Sequence, residues 1–73
     1  MHYVILFNSV HFVMKAEKAI KEKGIGVQLI PVPRQFSSDC GMAIKIKEES
    51  IEIVKQLIEK GNYKVEGIHK ISE

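Results

Sequence analysis

Apolar residues along this 73-residue chain repeat with two different periods. Residues 3–7 form an unbroken apolar and β-branched run, which is typical of a central strand. Residues 42–47 alternate strictly, and this predicts a strand with Met42, Ile44 and Ile46 facing inward and Lys45 and Lys47 facing outward. Both segments therefore belong to a sheet that has an apolar side.

Between and after these strands the apolar period changes to that of a helix. Residues 10–23 place Val13, Ala16 and Ile20 on one face. Asn8 or Ser9 is expected to cap this helix, and Gly24 to end it. A second helix is predicted from a Ser50 cap to Gly61, and its apolar stripe is Ile51, Val54, Leu57 and Ile58.

Two further strands complete the pattern. Residues 27–32 are strand-like, but Pro31 lacks the N–H that a ladder needs, so this strand is predicted at an edge. Residues 63–71 form the last strand, with Gly67 at a bulge. The order β-α-β-β-α-β predicts an α+β fold of the ferredoxin-like type over residues 1–73, as one domain: a four-stranded antiparallel sheet with two helices on one face.

Composition narrows the class of protein. A hydrophobic share of 45% with 27% charged residues excludes disorder, and no apolar run is long enough for a membrane span. The first residues lack the basic leader of a secretory signal. A net charge of +2 makes neither nucleic acid nor an anionic membrane an expected partner. A single cysteine rules out an intramolecular disulfide and is consistent with a reducing cytoplasm.

That cysteine, Cys40, lies in the polar loop between the second and third predicted strands. The fold would bring this loop to the end of the sheet where the first strand leads into the first helix, near His11. A thiol with a pKa near 8.5 becomes more reactive beside a helix N-terminus, an arginine or a protonated histidine. Arg34 precedes Cys40, and Gly41 follows it. Asp39 would act in the opposite direction, unless its carboxylate caps the turn.

Other kinds of site lack their residues. A structural zinc needs four ligands, and His11 with Cys40 supplies two. There is no glycine-rich phosphate loop, and the third strand lacks the aromatic residues of an RNA-binding sheet. We therefore expect no metal, no cofactor and no nucleic acid partner. A lone cysteine is also often a buried, inert residue, so a structural Cys40 stays open.

Three segments together resemble a known family. They are Phe7-x-Ser9-x-His11 running into Lys15-Ala-Glu-Lys18, then Pro31-x-Pro33-Arg34 with Ser37-x-x-Cys40-Gly41-Met-Ala43, and finally Val65-Glu-Gly-Ile68. The chain resembles the selenium/sulfur (Se/S) carrier protein-like family over essentially its whole length. The resemblance implies that Cys40 carries sulfur or selenium as a persulfide or selenosulfide. It also implies that Arg34, Ser37 and Gly41 share the loop of Cys40 and that His11 lies on the facing turn.

The sequence thus predicts a soluble, cytoplasmic, non-enzymatic carrier that takes sulfur or selenium from a protein donor and passes it to an acceptor thiol. One alternative is a regulatory or interaction domain with a structural cysteine. The sheet face without helices is expected to be uncovered, with first-strand residues and Ala43 lining it, so a homodimer through that face is plausible. A thiol enzyme with His11 as base is the third possibility.

Overall fold

The computed structural model describes residues 1–36 and 41–72. The elements are, in chain order, β1 (His2–Phe7), α1 (Val10–Glu22), β2 (Val27–Pro31), β3 (Met42–Lys47), α2 (Ile51–Gly61) and β4 (Val65–Ile71). A single 3-10 turn at Glu48–Ser50 precedes α2. Neither helix among the described residues has the length and apolar character needed to cross a membrane.

The four strands form one antiparallel sheet in the order β2-β3-β1-β4. This confirms the predicted α+β fold and its ferredoxin-like topology, with β1 and β3 central. The edge position predicted for β2 is also confirmed. Pro31 is the last residue of that strand and pairs with Met42, so its missing N–H ends the ladder without interrupting it.

Both helices pack on the same face of the sheet. Val13, Ala16 and Ile20 of α1 and Val54 and Ile58 of α2 join a buried cluster with strand residues Ile5, Phe7, Ile44 and Ile46. The predicted apolar stripes are therefore the faces that the helices bury. An ion pair one helical turn apart also forms on α1, with Lys21 Nζ 3.2 Å from a carboxylate oxygen of Glu17.

The structure corrects part of what the sequence predicted for the helix ends. Ser9 and Ser50 are the N-cap residues, but neither side chain makes a capping hydrogen bond. Ser50 has a helical backbone conformation, because the 3-10 turn leads directly into α2. Gly24 does end α1: it has a φ of +77°, and its N–H donates to the Lys21 carbonyl at 2.9 Å.

β4 begins two residues later than predicted and contains the expected bulge. Leu6 of β1 pairs with Gly67, whereas Phe7 pairs with Val65, so Glu66 is the extra residue. Tyr63 does not join the sheet, because its N–H donates to the Ile58 carbonyl at the end of α2.

The sheet face without helices carries a second, smaller apolar cluster. Val4, Leu6 and Ala43 form its centre, with exposed fractions of 0%, 3% and 0%. Half-buried residues from β2, β4 and the β2–β3 connection pack against it: Ile30, Val32, Phe36 and Ile71. The expectation of an uncovered face is therefore wrong at these three residues, and the homodimer through it stays a prediction.

Candidate functional site

The β2–β3 connection, which contains the predicted site, lies at one end of the sheet. Pro31 pairs with Met42, Leu6 with Ala43 and Phe7 with Val65, so the end of β1, the β2–β3 connection and the start of β4 share this end. The N–H of Asn8 donates to the Lys64 carbonyl at 3.0 Å and ties the exit of β1 to the entry of β4. The start of α1, with His11, lies at the same end.

The β2–β3 connection is closed at its base by a backbone hydrogen bond. The N–H of Val32 donates to the Gly41 carbonyl at 3.1 Å. Gly41 has a φ of +74°, in the region that side-chain-bearing residues rarely adopt. Apart from Gly41 itself and its chain neighbours, a Cβ there would meet no atom of the described residues within 4 Å, so it is the local backbone conformation that favours glycine.

The first arm of this connection makes a tight turn. The N–H of Phe36 donates to the Pro33 carbonyl at 3.0 Å, which closes a four-residue turn. Arg34 and Gln35 lie at the exposed tip, so the Arg34 guanidinium faces solvent at the edge of the connection.

Phe36 turns back onto the sheet. Its ring stacks on the imidazole of His69 in β4, with ring centroids 4.1 Å apart and an interplanar angle of 14°. It also packs against the cluster formed by Val4, Leu6 and Ala43. The first arm of the connection, residues 32–36, thus lies on the face opposite the helices and contacts a residue on the far edge strand.

Gly67 makes room for this stack. A Cβ on Gly67 would lie 2.9 Å from Nε2 of His69, closer than real Cβ atoms approach other heavy atoms. The imidazole therefore lies over the glycine two residues before it on the same strand. Phe36 stacks on that imidazole, so glycine, histidine and phenylalanine are arranged in contact on the sheet face.

The sequence-predicted residues differ in how far the structure describes them. His11 is exposed in the first turn of α1, and its ring contacts Phe12 edge-on, with centroids 5.7 Å apart. Arg34 is exposed and Gly41 closes the base of the connection. Ser37 and Cys40 lie outside the described residues, as do Ser38 and Asp39. The backbone register thus brings His11, Arg34 and Gly41 to one end of the sheet, while the thiol stays a sequence prediction.

Sequence reasoning missed Phe36 and His69. One observation in the sequence points to each of them. Phe36 is an aromatic residue within an otherwise polar loop, and Gly67, His69 and Ile71 share one face of an alternating strand. The two residues are 33 positions apart in the sequence, and hydrophobic periodicity predicts only contacts within an element, so it does not predict this pairing.

The described residues contain no group of three His, Cys, Asp or Glu side chains placed to hold a metal ion. Two shallow hollows lie elsewhere on the surface. One includes His2, Gln28 and Lys47, and the other lies beside Lys15, Lys18 and Tyr63. Neither is lined by Arg34, Phe36 or Gly41.

Comparison with known proteins gives one match. No curated protein and no solved structure matched the chain. The family model described as "Putative Se/S carrier protein-like" matches residues 2–70. This range includes β1, β2, β3, both helices, the complete β2–β3 connection and all of β4 except its last residue, Ile71. Because the match covers nearly the whole sequence, the chain belongs to the Se/S carrier protein-like family.

Proposed function

We propose that the protein is a non-enzymatic carrier that holds sulfur or selenium on Cys40. The observation that carries the proposal is membership of the Se/S carrier protein-like family over residues 2–70, in a chain with a single cysteine. A carrier of this kind needs one nucleophilic sulfur and a partner on each side of the transfer. With one thiol in the chain, the group that Cys40 accepts must leave through a thiol on another molecule.

The surrounding structure supports this proposal. Gly41, the residue after Cys40, is held to Val32 by a backbone hydrogen bond, and Phe36 is packed on the sheet. The segment that contains Cys40 therefore begins and ends at residues fixed to the same sheet. Such anchoring limits how much loop entropy is lost when a partner protein binds there.

The proposed transfer is a thiol–persulfide exchange without net oxidation. The Cys40 thiolate attacks the terminal sulfur of a donor cysteine persulfide. A bond forms between Cys40 Sγ and that sulfur, the donor S–S bond breaks, and its electron pair leaves with the donor cysteine as a thiolate. An acceptor thiolate then attacks the same terminal sulfur and returns Cys40 to the thiolate. A perselenide donor transfers selenium by the same steps and leaves a selenosulfide on Cys40.

His11, Arg34, Ser37 and Gly41 support this chemistry in the proposal. His11 and Arg34 are exposed at the same end of the sheet, and a cationic side chain favours thiolate over thiol. Ser37 belongs to the same loop, three residues before Cys40. Gly41 supplies the backbone conformation that closes the connection. None of these roles includes turnover of a substrate by acid–base catalysis.

The partners follow from the exchange. The donor is a protein that carries a persulfide or perselenide, and the acceptor is a protein thiol, in a reducing compartment such as the cytoplasm. The carrier needs no cofactor or metal for either step.

The test is sulfur loading measured by intact mass. The protein is incubated with a cysteine desulfurase and cysteine, and in a parallel sample with selenocysteine. We expect an added mass of one sulfur or one selenium atom, which a thiol reductant removes. Cys40→Ser is the matched control, because it keeps the size of the side chain and removes the sulfur. A wild-type protein that gains no mass, or a Cys40→Ser variant that gains as much, contradicts the proposal.

Labelling kinetics with a thiol reagent then separates the carrier from an interaction domain with a structural cysteine. A carrier thiol must be accessible and partly ionised, so we expect rapid labelling of the folded protein at neutral pH. If labelling proceeds only as fast as global unfolding, Cys40 is buried and the interaction domain is favoured.

A further inference from the structure

We propose that His69 is a positioning residue for the carrier loop and acts through the ring of Phe36. This inference rests on the proposed function, since the loop it positions contains Cys40. It assigns a role to a histidine in the last strand that is far from Cys40 in sequence. The role is to hold the first arm of the loop, residues 32–36, on the sheet.

The contact between the two rings carries the argument. Their centroids are 4.1 Å apart and their planes differ by 14°, which is a close, nearly parallel stack. Stacked aromatic pairs stabilise a contact beyond the effect of the area they bury. Both rings are half-buried, so part of this contact is shielded from water.

His69 is itself held in place from the sheet side. It pairs with Val4 of the central strand, and its ring lies over Gly67, where a Cβ would approach Nε2 to 2.9 Å. On this face Phe36 also contacts the cluster centred on Leu6 and Ala43. The position of the His69 ring over the sheet is therefore restrained, and the Phe36 ring stacks on it.

The anchored ring fixes the arm that leads to the cysteine. Two backbone hydrogen bonds restrain the same arm: Phe36 N–H to the Pro33 carbonyl and Val32 N–H to the Gly41 carbonyl. Without the stack, Phe36 loses its ring contact on β4 while its aliphatic contacts with the cluster remain, and the turn that it closes is less restrained. A loosened arm presents the thiol in more orientations, so a smaller share of encounters with a donor is productive.

The experiment compares His69→Ala with His69→Phe. The phenylalanine variant retains an aromatic ring for stacking and removes the imidazole nitrogens. His2→Ala is the matched control, because His2 is also a half-buried histidine on this sheet face, at the opposite end of β1. Amide hydrogen exchange at Val32 and Phe36 reports on the arm directly. The donor concentration that gives half-maximal sulfur loading reports on presentation of the thiol.

We expect His69→Ala to speed amide exchange at Val32 and Phe36 by roughly threefold to tenfold relative to the control. It should also raise the half-maximal donor concentration while the final extent of loading stays complete. His69→Phe should behave as wild type in both measurements. Exchange at Val32 and Phe36 that matches the control overturns the inference. So does a His69→Phe variant that keeps slow exchange yet loses loading, because the imidazole would then take part in the chemistry.

The two proposals fail in different ways. If the wild-type protein does not load sulfur, the carrier function is wrong, and amide exchange still decides whether His69 holds the arm. If His69→Ala does not fold, Gly67→Ala replaces it, since the added Cβ displaces the imidazole while every core residue remains. Faster exchange at Val32 in that variant supports the inference, and unchanged exchange contradicts it.

Discussion

Gly41 closes the β2–β3 connection in a conformation that a side chain would strain. Its φ of +74° places an added Cβ too close to the following carbonyl oxygen, which costs an ordinary residue about 1–2 kcal/mol. We expect Gly41→Ala to lower the free energy of unfolding by about that amount and to speed amide exchange at Val32, whose N–H donates to the Gly41 carbonyl.

Gly26→Ala is the matched control for this variant. Gly26 has no positive φ, and a Cβ there would meet no atom within 4 Å, so the substitution should leave stability near or above that of wild type. Urea denaturation of both variants measures the difference. Equal stabilities would show that the backbone at Gly41 relaxes without strain.

Gly61 and Gly67 leave space for the ring of a nearby side chain, and the sequence alone does not predict this requirement. The prediction that Gly61 ends α2 is confirmed for the boundary, but the left-handed residue is Asn62, with a φ of 56°. A Cβ on Gly61 would lie 2.5 Å from the Tyr63 ring. Gly67 similarly admits His69. Composition shows that a glycine is present, and only the fold shows which side chain occupies the space that it leaves.

At the scale of elements, periodicity predicts strands and helices well and their ends less well. Apolar and polar residues alternate along β3 because one face of the strand packs under the helices. This alternation predicts its bounds, Met42–Lys47, correctly. The start of β4 is less predictable. Tyr63 and Lys64 are compatible with a strand, yet the backbone of Tyr63 bonds to Ile58 and completes the end of α2. The end of α2 and the strand ladder compete for the same Tyr63 N–H, and tertiary geometry decides between them. Such a competition has no signature in the hydrophobic periodicity of the sequence.

The end of α2 gives a prediction at this scale. Asn62 N–H donates to the Glu59 carbonyl at 3.2 Å and Tyr63 N–H to the Ile58 carbonyl at 3.2 Å, the pair of bonds of a Schellman motif. Asn62→Ala should lower the free energy of unfolding by about 1 kcal/mol, because alanine tolerates the left-handed conformation poorly.

Asn62→Gly is the companion variant. Glycine adopts the left-handed conformation without a steric penalty, so this variant should be at least as stable as Asn62→Ala and close to wild type. Thermal unfolding of the three proteins orders their stabilities. A less stable glycine variant than alanine variant would mean that residue 62 does not stay left-handed in solution.

At the scale of the whole molecule, β1 is the strand on which both apolar clusters depend. Ile5 and Phe7 face the helices, while Val4 and Leu6 face the arm that contains Phe36. This explains why residues 3–7 form an unbroken apolar run in the sequence. The run correctly predicted a central strand, but the second face was expected to be uncovered. Part of its cover comes from Val32 and Phe36 of the β2–β3 connection, which has no periodicity to predict it.

The end of the sheet opposite the β2–β3 connection carries an exposed ion pair that links the turn before α2 to β4. Lys70 Nζ lies 2.9 Å from a carboxylate oxygen of Glu48. A hydrogen bond and the charge of Lys70 lower the pKa of Glu48 below 4.5, and the same contacts with Glu48 raise the pKa of Lys70 above 10.5. The pair therefore makes stability depend on pH at both ends of the scale.

The sign of each contribution follows from these directions. A lowered carboxyl pKa stabilises the fold above the unfolded value near 4.5, and this contribution disappears as pH falls through the folded value. A raised lysine pKa stabilises the fold below the unfolded value near 10.5 and is lost as pH rises through the folded value. The difference in unfolding free energy between wild type and Glu48→Gln should therefore be largest and flat between those two values, and should vanish in acid.

Because both side chains are about half exposed, the difference should be small and should shrink further in high salt. Urea denaturation across pH, at low and high salt, measures it. Glu59→Gln serves as the control, since it removes an exposed carboxylate from α2 and changes the net charge by the same amount. If both variants give the same pH dependence, net charge explains the effect, and the contact between Glu48 and Lys70 contributes nothing measurable to stability.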